Sequence, residues 1–171
     1  MDLLVEQVFP RVLAQEPAAR LVIVGRHPSA KLVERLRHAA GVELHADVPD
    51  VRPFLAQSGV MTVPLRIASG SRLKILEALA AGLPVISTTV GAEGLCLEPG
   101  RDFVRADTPT EMIAALIAAI LRPEPLHLMA LHGRELVLTR YDWDVLAGKL
   151  EQVWTQCAGL PEGGRACISS S

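Results

Sequence analysis

The chain has 171 residues, half of them hydrophobic, with 17 basic and 19 acidic residues and a formal net charge of −2. This is enough apolar material for the core of one ordinary domain, and with aromatic residues at 4% that core must be aliphatic. The charge is nearly balanced and has no long run of one sign, which argues against a nucleic-acid groove or a polybasic membrane anchor.

Residues 3–13 carry apolar side chains at helical spacing (Leu4, Val5, Val8, Phe9, Val12) and stop near Pro17. Residues 21–24 are a continuous apolar run closed by Gly25, the pattern of a strand buried on both faces. Residues 29–40 return to helix, 42–45 predict a short strand, and 50–57 a helix of one or two turns opened by Pro49 and Asp50. Residues 60–65 predict a strand that Pro64 ends, because proline has no N–H for a ladder.

The strongest helical pattern is residues 71–81, rich in Leu and Ala and stopped by Gly82 and Pro84. A strand follows at 85–88, then a loop over 91–100 and a brief extended piece at 102–104. Thr108, Pro109 and Glu111 spell a helix start with a capping box. Helical patterns continue through 126–138 and 142–156, with Tyr141 and Trp143 expected to anchor the last. The Gly-, Pro- and Ser-rich end reads as a flexible tail over 157–171, leaving one domain over 1–156.

Apolar runs alternating with helices specify an α/β fold, a Rossmann-like, doubly wound parallel sheet flanked by helices. Ligands in such sheets sit beyond the carboxyl ends of the strands, in the strand-to-helix loops. Cys96, Cys157 and Cys167 are odd in number and lack metal-ligand spacing, as expected of reduced thiols in a cytosolic protein. Met1 leads straight into Asp2 and an amphipathic stretch rather than a signal peptide, and the run 112–121 is too short to span a bilayer. The five histidines form no metal or nucleophilic array, so no metal site is expected; only His27 lies in a candidate ligand loop.

The first such loop, Gly25-Arg26-His27-Pro28, has one glycine where a dinucleotide fingerprint needs three. The informative segment is PLRIASGSRLKILEALAAG, residues 64–82. A polar turn there opens into a helix, whose unpaired amides and dipole attract an anion. Ser69, Gly70 and Ser71 are small enough to let a phosphate approach the backbone. On the helix, Lys74 and Glu77 share a face with Gly70 and Ala81, while Leu73, Ile75, Leu76, Leu79 and Ala80 are expected to face the core. A diphosphate joined to a ribose matches one cation and one carboxylate above an anion-attracting helix start. Lys74 is one of three lysines in the chain. Arg72 could serve the phosphates equally, and Arg66 is a weaker candidate.

This segment resembles the donor-site motif of the group 1 retaining glycosyltransferases, which have the two-domain GT-B fold. The order LVIVG, VELHADVPDVRPFLAQSGVMTVPL, PVISTTVGAEGL and RYDW extends the resemblance to nearly the whole chain. It implies that Glu77 binds the ribose of a nucleotide-diphosphate sugar, and that Ser69 stands where the family's sugar-contacting glutamate lies. It further implies that amides of Arg72, Leu73 and Lys74 approach the phosphates, with Ala46, Asp47 and Val48 beside the base. Thr88, Thr89, Val90, Gly91 and Ala92 would then close the pocket. The family reaction needs no metal and no cofactor. The resemblance also implies that an N-terminal acceptor-binding domain is missing, so that this piece is inactive alone, and that a central strand between those at 21–24 and 60–65 is absent. The gap would be closed by rearrangement, filled by another chain, or leave the piece marginally stable. The expected location is the cytoplasm, with peripheral membrane association of the full-length protein left open. Two readings compete: a non-catalytic module of this fold that binds nucleotides or partner proteins, and an epimerase acting on a nucleotide sugar, for which no acid–base set is evident.

Overall fold

In a computed structural model, which describes residues 3–67 and 70–158, every strand pairing is parallel and helices intervene between successive strands. The opening helix, α1, is π-wound over Leu3–Val8 and α-wound over Phe9–Gln15. The winding changes beside Pro10, which has no N–H to give and whose ring crowds the preceding turn. Next come β1 (Leu21–Gly25), α2 (Ala30–Arg37), β2 (Val42–Ala46), α3 (Arg52–Gln57), β3 (Met61–Val63) and α4 (Leu73–Ala80). The order ends with β4 (Val85–Ser87), α5 (Thr89–Ala92), β5 (Val104–Arg105), α6 (Pro109–Leu121), α7 (Glu124–Arg140) and α8 (Trp143–Ala158).

The strands form two sheets rather than one: β1 pairs with β2, and β4 stands between β3 and β5. No strand among the described residues pairs with the other edge of β1 or of β3. The expectation that β1 is buried on both faces is therefore corrected. Val22 is 38% exposed, because a two-stranded ribbon has too few neighbours to cover it. The two sheets share a core instead. Leu4, Val8, Phe9 and Val12 of α1 pack with Ile86 of β4 and with Met112 and Leu116 of α6, and Leu21 and Val42 lie against the same cluster.

The second sheet is better covered. Val85, Ile86 and Ser87 are completely buried; Ile75, Ala78 and Leu79 of α4 pack with Val85 on one side, and Ile86 faces α1 and α6. Gly133 lets α7 lie close to α4, since a Cβ there would collide with Leu79 and crowd the Asp102 carbonyl oxygen. The capping box at Thr108 is present in full: its hydroxyl accepts from the Glu111 N–H at 3.2 Å while the Glu111 carboxylate accepts from the Thr108 N–H at 2.9 Å.

Other expectations need correction. Residues 91–100 do not form a loop throughout, because the helical turn Thr89–Ala92, capped by Thr88, opens that stretch. Trp143 does not anchor α8, being 83% exposed; Tyr141 does the anchoring, its hydroxyl oxygen accepting from the Cys96 N–H at 3.2 Å. Helix α8 turns Trp143, Leu146, Leu150, Val153 and Trp154 to solvent. The expected tail at 157–171 begins inside this helix with Cys157 and Ala158, and its remainder lies outside the described residues. No single helix among the described residues is long and apolar enough to cross a membrane, and no group of three or more His, Cys, Asp or Glu there could hold a metal ion.

Candidate functional site

The candidate residues stand where parallel strands hand over to helices, at carboxyl ends of both sheets. Three non-glycine residues there take the left-handed backbone region: His27 (φ 47°), Asp47 (φ 53°) and Arg72 (φ 52°). For residues with a Cβ this region is uncommon and costs free energy, so the surroundings must hold it. At the ends of β1 and β2 the hold is visible. The Asp47 N–H donates to the Gly25 carbonyl at 2.9 Å, and its Oδ1 accepts from the His27 N–H at 2.8 Å. The His27 ring Nδ1 lies 3.4 Å from the same oxygen. Ala46 and Asp47 are exposed and Val48 is half-buried.

The second group surrounds β3 and β4. Thr88 Oγ1 donates to the Leu65 carbonyl at 2.5 Å and accepts from the Gly91 N–H at 2.9 Å, which fixes the loop after β3 against the turn after β4. A Cβ on Gly91 would strike Ser87 Oγ and sit 3.0 Å from the Val63 carbonyl, so only glycine permits this approach. Thr88, Gly91 and Ala92 are thereby buried, Val90 is half-buried, and Thr89 alone of this stretch is exposed. Thr89 donates to Asp107 through its N–H at 2.6 Å and its hydroxyl at 2.8 Å. The backbone donor, then the hydroxyl, and to a lesser degree the nearby Arg105 hold the Asp107 carboxyl below the usual carboxylate range. A hollow of about 260 Å³ opens beside this turn, lined by Thr89, Ala92, Glu93, Phe103 and Arg105 among others.

Helix α4 starts later than its sequence pattern predicts. Arg72 is left-handed and occupies the N-cap position, so Ser71 and Gly70 lie outside the helix, and no side chain caps the first turn. The amides of Leu73 and Lys74 have no intrahelical partner there. Leu73 is 58% exposed and Ala80 is exposed, contrary to the expected core face, while Ala78 is fully buried in their place. Ile75, Ala78 and Leu79 share one face of the helix, and at about 3.6 residues per turn Leu73 and Ala80 fall on the far side from Ile75 and Ala78. Lys74 and Glu77 are both exposed on the opposite side and form no ion pair with each other or with another described residue. Arg66, Gly70 and Ser71 are exposed too, whereas Ser69 lies outside the described residues.

Arg72, unlike Arg66, Lys74 and Glu77, is largely covered. Its side chain is only 15% exposed, one terminal nitrogen donates to the Gly70 carbonyl at 2.5 Å, and the other lies 3.6 Å from Glu93 Oε2. Its buried Nε–H has no acceptor among the described residues. Sequence reasoning did not single out Glu93. It falls inside the VGAEGL stretch, but nothing in local spacing says that it meets Arg72. The contacts gather two groups, Asp47 with His27, and Leu65 and Arg72 with Thr88 and Glu93; among the described residues no hydrogen bond or ion pair joins one group to the other.

Residues 1–122 match the family described as glycosyl transferases group 1. The chain belongs to this family. Among curated relatives, a GDP-mannose-dependent alpha-(1-6)-phosphatidylinositol monomannoside mannosyltransferase of Mycobacterium tuberculosis is 28% identical over 156 residues, covering 83% of this chain and 40% of the relative. The chain thus spans about two fifths of that relative's length. Among solved structures, sucrose-phosphate synthase from Thermosynechococcus elongatus superposes with a TM-score of 0.72 at 22% identity, covering 90% of this chain and 42% of that one. HepE of Anabaena in complex with UDP and glucose gives a TM-score of 0.72 at 14% identity, over 86% of this chain and 43% of its own. These structural likenesses show the fold, an α/β domain of GT-B type with parallel sheets between helices.

Proposed function

We propose that residues 1–156 are the donor-binding domain of a retaining glycosyltransferase, part of a longer protein that moves a sugar from a nucleoside diphosphate to an acceptor hydroxyl. The observation that carries this reading is the free pair on α4: Lys74 and Glu77 are exposed and unpaired beside an uncapped helix start, within the segment matched by the family. Glu77 takes the ribose hydroxyls as hydrogen-bond donors. Lys74, the first-turn amides and Arg66 meet the diphosphate, whose negative charge grows as the glycosidic bond breaks. Charge stabilisation from these groups serves in place of a metal ion. Asp47 and Val48 flank the base, and Thr89 stands at the opposite wall.

The mannosyltransferase relative is named for GDP-mannose and the Anabaena structure holds UDP, so guanosine and uridine diphosphates are the probes to try first. Isothermal titration of the full chain with both is expected to show binding that is insensitive to a chelator. Glu77→Ala should weaken that binding about tenfold to a hundredfold, the cost of losing charge-assisted hydrogen bonds. Equal affinity of parent and Glu77→Ala, or no binding of any nucleoside diphosphate, would falsify the donor-site assignment. In a full-length protein, the product's anomeric configuration would report retention directly.

A further inference from the structure

We infer that Glu93 is a built-in counter-ion for Arg72, occupying in the ligand-free chain the place that an incoming phosphoanion takes. The inference rests on the donor-site reading for its location, but on Arg72 itself for its chemistry. A guanidinium offers five N–H donors in a fixed fork. In this chain the group is 85% covered, since its side chain is 15% exposed, yet its contacts among the described residues are incomplete: one hydrogen bond to the Gly70 carbonyl, a loose 3.6 Å pair with Glu93, and a buried Nε–H with no acceptor. A buried donor without a partner carries a desolvation cost that an acceptor reaching it would remove. Glu93, 73% exposed, holds the cation weakly and is free to swing into water.

The backbone is consistent with this arrangement. The left-handed turn at Arg72 brings its guanidinium back onto the carbonyl of Gly70, within the turn that opens α4. Glu93 directly follows the helical turn Thr89–Ala92 and lines the hollow of about 260 Å³ beside it. A pyrophosphate supplies several oxygens and more negative charge than one carboxylate, so it can satisfy the Nε–H and a terminal nitrogen bidentately while Glu93 leaves. The pair therefore balances Arg72 when no anion is present, and exchanges one anion for another without leaving a bare buried charge.

The test is titration of the full chain with inorganic pyrophosphate, and separately with GDP and UDP, for the parent, Glu93→Gln, Arg72→Gln and the double variant. Removing the competing carboxylate should tighten pyrophosphate binding about threefold to tenfold, in keeping with the modest strength of an exposed ion pair. Arg72→Gln should weaken binding, and in its background Glu93→Gln should have no further effect, which a merely electrostatic contribution of Glu93 to the whole surface would not produce. Pyrophosphate affinity unchanged or lowered by Glu93→Gln, or raised equally with and without Arg72, overturns the inference, as does a parent and a Glu93→Gln variant that both fail to bind pyrophosphate. If pyrophosphate obeys the pattern while neither nucleotide binds, the counter-ion role stands and the donor-nucleotide reading falls.

Discussion

Strands β1 and β4, one from each sheet, are both short and largely aliphatic and end up in different states. Strand β4 has a neighbour on each edge and helices across it, and all three of its residues are fully buried. Strand β1 has one neighbour, leaves Val22 38% exposed, and has only Ile23 among its residues in the fully buried core. Burial follows from the number of partners more than from the sidedness of the sequence. The candidate site draws on both halves: the Asp47–His27 clasp belongs to the first sheet, and the Thr88 tether, Gly91 and the Arg72–Glu93 pair to the well-covered half.

The largest effect should come from emptying the better-packed half. Ile86→Ala removes a fully buried side chain beside α1 and α6 and is expected to cost about 2–5 kcal/mol, read from the urea midpoint followed by circular dichroism. A loss below about 1 kcal/mol would mean that this core is much looser than its burial implies. Gly91→Ala comes next. Its new methyl must displace Ser87 Oγ and press on the Val63 carbonyl, so a cost of about 1–3 kcal/mol is expected, together with weakened nucleotide binding as the Thr88 tether shifts. Normal stability and binding in this variant would remove the claim that the approach demands glycine. Val22→Ala in the first sheet should change stability by less than about 1 kcal/mol, because much of that side chain already meets water. Backbone amides of β1 should likewise exchange with deuterium faster than those of β4, and equal protection would erase the contrast drawn between the halves.

The smallest expected effect is on pH dependence. The Asp107 carboxyl is held below its ordinary value chiefly by the Thr89 N–H, so its contribution is complete above about pH 4 and is lost as pH falls through the lowered folded value. Asp107→Asn should therefore lower the urea midpoint at neutral pH and flatten its fall on acidification below about pH 4. A parent and variant with parallel curves would mean that the tie between Thr89 and Asp107 contributes nothing in solution.

Much of the site was legible without coordinates because its signals are local. The segment 64–82 announces a polar turn feeding a helix, and Lys74 and Glu77, three residues apart, had to share a helix face wherever that helix began. Arg72 shows where local reading stops. Its helical position was inferred from an ideal pattern, whereas its left-handed backbone and its pairing with Glu93 depend on a segment far along the chain. Leu73 and Ala80 are a different case: they lie across the helix from Ile75 and Ala78, so the helical period itself exposes them once that face is buried.

By itself the sequence determined the alternation of strands and helices, the capped start of α6 and the shared helix face of Lys74 and Glu77, since capping, turn chemistry and period act over a few residues. Only the tertiary structure decided that the strands divide into two sheets, that Thr88 turns inward to tether Leu65, and that Arg72 is already occupied. Those outcomes are choices among distant partners, settled by which edges and charges the packed helices bring within reach, and no spacing along the chain encodes that distance.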